Sequence, residues 1–121
     1  MLLLTKILAK QSTCNKRQVG CIITKYGFPI AYGFNHGNKE QCGCSMDSKN
    51  PHVLHAEEMA LSKPKDYKDS HLYVNYPPCK KCCDLIIKSE ITKVTYYANG
   101  KPDNRLYLQA NGVRVNAVHS P

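Results

Sequence analysis

The chain has 121 residues, 42% of them hydrophobic, and a formal net charge of +8 at pH 7. That length allows one domain with one real core, residues 1–121, and excludes a second. The basic balance favours anionic partners, nucleotides or nucleic acid, over a merely solvated basic surface only when a site supports it.

Leu3, Leu4, Ile7 and Leu8 fall at helical spacing, which predicts an amphipathic helix over 2–12. The apolar run at its start is broken by Thr5 and Lys6, too short for a signal-peptide core or a membrane span. A cytoplasmic protein with no membrane partner is therefore expected. Residues 19–24 read as a strand, 25–27 as a turn and 28–34 as a returning strand, a hairpin. Residues 35–51 are rich in Gly, Asn, Ser, Lys and Cys without periodicity, so a loop of about 17 residues is expected there. A helix over 55–63 ends at Pro64, and a strand covers 70–75. Pro77 and Pro78 cannot continue a ladder. Then come a helix over 79–89, a strand over 93–97, a helix over 103–110 and a strand over 113–118. Strands alternating with helices predict a largely parallel sheet covered on both faces, with one antiparallel hairpin.

Two short motifs carry the chemistry: His55-Ala56-Glu57 and Pro78-Cys79-Lys80-Lys81-Cys82, whose first Cys lies 24 residues after His55. One imidazole and two thiolates make three zinc ligands. A structural zinc site takes four protein ligands, whereas three leave a position for water. Zinc lowers the pKa of bound water to about 7. Glu57, two residues from a ligand, can reach that water without binding the metal. Cys-x-x-Cys alone is common in structural knuckles and redox pairs, and His-x-Glu alone carries little. The joint pattern, with Pro before the first Cys and a strand before that Pro, is far more specific. Both motifs open predicted helices, whose N-terminal partial charge favours thiolates at Cys79 and Cys82. Seven Cys without a secretory signal suit metal binding in a reducing compartment better than a disulfide framework.

The pattern H-x-E…P-C-x-x-C is the signature of zinc nucleobase deaminases. With it stand Val19-Gly20-Cys21-Ile22-Ile23, Gly33-Phe34-Asn35, Leu72-Tyr73-Val74 and Ile91-x-x-Val94. On these residues the chain resembles the cytidine-deaminase-like superfamily, and most closely the deoxycytidylate (dCMP) deaminases. The resemblance implies a three-layer α/β/α fold with a five-stranded mixed sheet. It implies a zinc-dependent hydrolase that removes ammonia from C4 of a cytosine nucleotide, dCMP to dUMP being the favoured reaction. His55, Cys79 and Cys82 match the zinc ligands, Glu57 the proton shuttle, and Asn35 a residue that contacts the sugar. Ala56 and Tyr76 are placed beside the substrate with Asn35. Lys80, Lys81 and Lys101 are candidate phosphate contacts. Free-nucleoside cytidine deaminases carry Cys where His55 stands. The family assembles as dimers or hexamers, so a homo-oligomer is expected. Where dCMP deaminases continue Gly-x-Pro-x-Gly, this chain reads His36-Gly37-Asn38-Lys39-Glu40, so control by dCTP and dTTP is not carried over. The alternative is a cytosine or adenine deaminase acting on DNA or RNA. The charge suits it. The lack of Trp, of a basic tail and of any added nucleic-acid-binding segment does not.

Cys14, Cys42, Cys44 and His52 form a second candidate set, a closed Cys₃His structural zinc with His36 in reserve. A long polar loop cannot order itself by burial, and a metal would supply the constraint.

Overall fold

The computed structural model describes residues 1–12, 17–36 and 54–119. The elements run in the expected order: α1 (Leu2–Ala9), β1 (Gly20–Lys25), β2 (Phe28–Phe34), α2 (Ala56–Leu61), β3 (His71–Val74), α3 (Lys80–Lys88), β4 (Lys93–Tyr97), α4 (Arg105–Ala110) and β5 (Arg114–Val118). The five strands form one mixed sheet in the order β2-β1-β3-β4-β5.

The hairpin forms because Tyr26 and Gly27 both take positive φ, 54° and 81°, the backbone of a type I′ turn. Its twist matches that of the flanking strands. Thr24 pairs with Pro29 and Ile23 with Ala31, so Ile30 is the extra residue of a bulge. Pro29 is tolerated because β2 is an edge strand. β1 is antiparallel both to β2 and to β3, while β3-β4 and β4-β5 are parallel. The largely parallel sheet expected from the element order is thus corrected to an even mixture. The reason is insertion: β1 sits between its hairpin partner and β3, a pairing that alternation of elements does not encode.

Successive strand residues face opposite sides. Gly20 faces α1, and Cys21, with its register partner Gly33, faces α2, so these helices lie on opposite faces. α3 and α4 join α2 on its side, as right-handed crossovers between parallel neighbours require. The core lies on that side: Cys21, Ile23, Leu72, Val74, Val94 and Tyr96 are fully buried there. The α1 face is more polar, with Thr24, His71, Tyr73 and Thr95.

α1 is shorter than expected and is turned the other way. Its buried residues are Thr5 and Ala9, while Leu3, Leu4 and Ile7 are 60%, 47% and 59% exposed. Only small side chains fit where the helix backbone meets Gly20. A Cβ there would stand 2.2 Å from the Thr5 carbonyl oxygen and 2.8 Å from the Ala9 nitrogen.

Candidate metal centre

His55 is the N-cap of α2 and Cys79 the N-cap of α3, each with extended backbone. Both helices therefore begin at the same end of the sheet, and Cys82 enters one turn into α3. His55 arrives there through a bridge in which the backbones of His36 and Leu54 bond reciprocally, at 2.9 and 2.7 Å. Its own backbone N–H donates to Glu58 Oε1 at 3.1 Å. Glu58 also pairs with Lys81 at 3.3 Å, tying the first turns of α2 and α3 together. At the far end of α2, the Tyr67 hydroxyl donates to the carbonyls of Ala60 and Lys63.

His55 Nδ1 lies 3.5 Å from Cys79 Sγ and 3.3 Å from Cys82 Sγ. The three ligand atoms all fall within 4.8 Å of one another. A tetrahedral zinc with Zn–N about 2.0 Å and Zn–S about 2.3 Å needs N···S separations of about 3.5 Å. The trio fits that ion without rearrangement. It is the one such group of three or more among the described residues. The three side chains share protons across these contacts. The Cys79 thiolate is pulled down to about 4 by hydrogen bonding from Cys82 and then from His55. Cys82 is pushed far up by its bond to Cys79 and by burial. His55 is raised, first by its bond to Cys79. With both thiols deprotonated, as zinc ligands must be, two sulfurs this close would carry negative charge that a dication neutralises.

Glu57 is 2% exposed, and its Oε1 has no hydrogen-bond partner among the described residues. A buried carboxylate oxygen left unpartnered is costly, and this one stands in the first turn of α2, two residues from His55. Burial pushes Glu57 up to about 7, with the Cys79 charge adding to the shift. A dication at the trio acts in the opposite sense.

The peptide before Cys79 is held as well. The Pro78 carbonyl accepts from Asn104 Nδ2 at 3.2 Å and from Cys83 Sγ at 3.7 Å. Asn104 and Glu58 were not singled out by sequence reasoning. The readable signals were a polar residue ahead of α4 and a Glu three residues after His55. Cys21 and Cys83 are buried core residues, as their apolar settings suggest.

Asn35 is fully buried, and its amide spans the chain just before β1. Its Oδ1 accepts from the Val19 N–H at 2.9 Å, and its Nδ2 donates to the Arg17 carbonyl at 2.7 Å. Ala56 is fully buried between His55 and Glu57. Tyr76 is half-buried, packed on the core's edge three residues before Cys79. Lys81 is engaged by Glu58, and Lys80 lies over the Tyr107 ring, 5.3 Å from its centre. Lys101 is exposed in the turn after β4. Of the second candidate set, Cys14, Cys42, Cys44 and His52 all lie outside the described residues.

The model of the cytidine and deoxycytidylate deaminase zinc-binding region matches residues 1–98. A deoxycytidylate deaminase of Saccharomyces cerevisiae is 30% identical over 93% of this chain, and one of Schizosaccharomyces pombe is 28% identical over 98%. The chain spans about two-fifths of those relatives, 41% and 42% of their lengths. The apo crystal structure of the dCMP deaminase from cyanophage S-TIM5 superposes with a TM-score of 0.76 at 29% identity, covering 96% of this chain and 92% of that one. The same phage enzyme has also been solved in complex with dCMP and dUMP. A family match over most of the chain, a five-stranded sheet of the same fold and a His/Cys/Cys cluster of zinc geometry agree, and the chain belongs to the cytidine and deoxycytidylate deaminase family.

Proposed function

We propose that residues 1–121 form one zinc-dependent deaminase domain that hydrolyses a cytosine nucleotide, converting dCMP to dUMP and ammonia. The observation that carries this is the buried Glu57 carboxylate, whose Oε1 has no hydrogen-bond partner among the described residues, beside three ligand atoms at zinc spacing. It is supported by the likeness to a phage enzyme solved with dCMP and dUMP.

His55, Cys79 and Cys82 would hold the zinc, which when bound supplies Lewis acidity that brings a water's pKa to about 7. Glu57 does the proton work. It accepts a proton from the water that adds at C4 of the base, delivers it to N3, and then helps protonate the amine leaving C4. One water is consumed and one ammonia released, so the ring exchanges its amino group for a carbonyl oxygen. Burial excludes bulk water from Glu57, which keeps its proton exchange local. Ala56 packs beside the base, Asn35 meets the sugar, and Tyr76 lines the rim.

The chain acts with copies of itself, as a dimer or hexamer. The outward apolar face of α1 favours this, since contiguous exposed apolar surface of that kind marks contact sites. No helix among the described residues is long and apolar enough to cross a membrane. The free thiols of Cys21, Cys79, Cys82 and Cys83 suit a reducing cytoplasm.

The deciding experiment is a deamination assay on the purified, zinc-analysed protein with dCMP, dCTP, CMP, deoxycytidine and single-stranded DNA. The highest kcat/KM is expected on dCMP. Comparable kcat/KM on single-stranded DNA would instead assign the protein to nucleic-acid editing.

A further inference from the structure

Gly20 pairs with Phe34 and Cys21 with Val74, so the start of β1 lies at the same sheet end as the ends of β2 and β3. That is the end where His55 and Cys79 stand. The segment entering β1, residues 17–20, therefore lies at the same end of the sheet as the His55, Cys79 and Cys82 cluster. Two asparagines hold it there. Asn35 binds the Arg17 carbonyl and the Val19 N–H; Asn75 binds the Gln18 carbonyl at 3.1 Å and the Gly20 N–H at 2.8 Å. Asn35 returns its own N–H to the Val19 carbonyl at 3.1 Å. Four consecutive residues are thus fixed by two side chains, each adjoining a chain segment that leads to a metal ligand.

Arg17 projects from this latched segment. Its guanidinium carbon lies 4.2 Å from the centre of the Tyr76 ring, so the cation rests on an aromatic face three residues ahead of Cys79. The ion pairs among the described residues join Lys25 to Asp66, Lys81 to Glu58 and Arg105 to Asp103, and none of them involves Arg17. A guanidinium that rests on a ring keeps its N–H edge available, and that edge matches two phosphate oxygens at once. Ordering it costs little further entropy, because the backbone and the ring already restrain it. Of the lysines that flank the site, Lys81 is paired with Glu58 and Lys80 lies over Tyr107.

We propose that Arg17, seated on Tyr76, recognises the 5′-phosphate of the substrate and so selects a nucleotide over a nucleoside. This rests on the reading of the site as a cytosine nucleotide deaminase. Tyr76 then acts chiefly as the platform for Arg17.

The test is Arg17→Gln, with zinc content and melting temperature recorded and steady-state kinetics on dCMP and on deoxycytidine. Inorganic phosphate is added as an inhibitor of deoxycytidine turnover. Loss of two charge-assisted hydrogen bonds predicts a fall in kcat/KM on dCMP of about 10- to 100-fold, mostly in KM. The fall on deoxycytidine is expected to be at least about tenfold smaller, with weaker phosphate inhibition and partial recovery in Arg17→Lys. Equal losses on the two substrates, or no loss on either, would overturn the assignment. If the unaltered protein treated dCMP and deoxycytidine alike, the nucleotide reading itself would fail, and this assignment with it.

Discussion

α1 lies on one face of the sheet at Gly20, and α2 lies on the other at Gly33. In each case two small residues four apart straddle the glycine, Thr5 and Ala9 on α1, Ala56 and Ala60 on α2. A Cβ at either glycine would stand 2.2 Å from a helix carbonyl oxygen. The packing device is the same; the surroundings are not. α2 begins at His55, beside the N-terminus of α3, and buries Glu57 in its first turn. α1 begins at Met1 and turns Leu3, Leu4 and Ile7 outward. Close seating of a helix on a strand thus sets how rigidly a group is held. What the helix can do depends on which residues occupy its first turn and what faces them.

The strongest way to sharpen this contrast is at Glu57. Glu57→Gln keeps the shape of the side chain and removes the proton carrier. A loss of at least about 10²–10⁴ in kcat is expected, with zinc content and melting temperature unchanged. Retention of most of kcat in rate measurements would break the proposed proton transfer.

Next in size is the glycine pair. Gly33→Ala and Gly20→Ala each force a helix off its strand, and denaturant melts should show a cost of about 1–3 kcal/mol for both. Activity per folded molecule should separate them. Gly33→Ala shifts the helix that carries His55 and Glu57, and a displacement near 1 Å can cost on the order of 10²-fold. Gly20→Ala shifts only α1 and should retain far more of its kcat. Equal activity losses would mean that α1 is coupled to the metal centre.

The smallest expected effect is at the outward face of α1. Ile7→Lys should change stability by no more than about 0.5 kcal/mol, because Ile7 is already exposed. Its effect should appear in the mass measured by light scattering, as a shift to smaller assemblies. An unchanged mass would show that copies meet elsewhere, and a large loss of stability would show that the face is buried within one chain.

Much of the site was legible because it is written in residue identity. His55, Cys79 and Cys82 are ligand types at a spacing that opens two successive helices, and the structure brings their donor atoms together. The helix over α1 was legible too, from its periodicity, but not its orientation. The apolar stripe of Leu3, Leu4 and Ile7 suggested the buried side. Gly20 reversed this, since only Thr5 and Ala9 are small enough to meet its backbone.

By itself the sequence determined the order of elements, the hairpin turn at Tyr26 and Gly27, and the set of groups able to bind zinc. These depend on local periodicity, on backbone conformations and on the chemistry of single side chains. Tertiary structure alone decided that β1 pairs with β3, that Asn35 and Asn75 latch the segment before β1, and that Arg17 rests on Tyr76. The physical reason is distance along the chain. The Val19–Asn35 and Gly20–Asn75 bonds join residues 16 and 55 positions apart, and no local pattern specifies which buried donor will meet which acceptor once the sheet has closed.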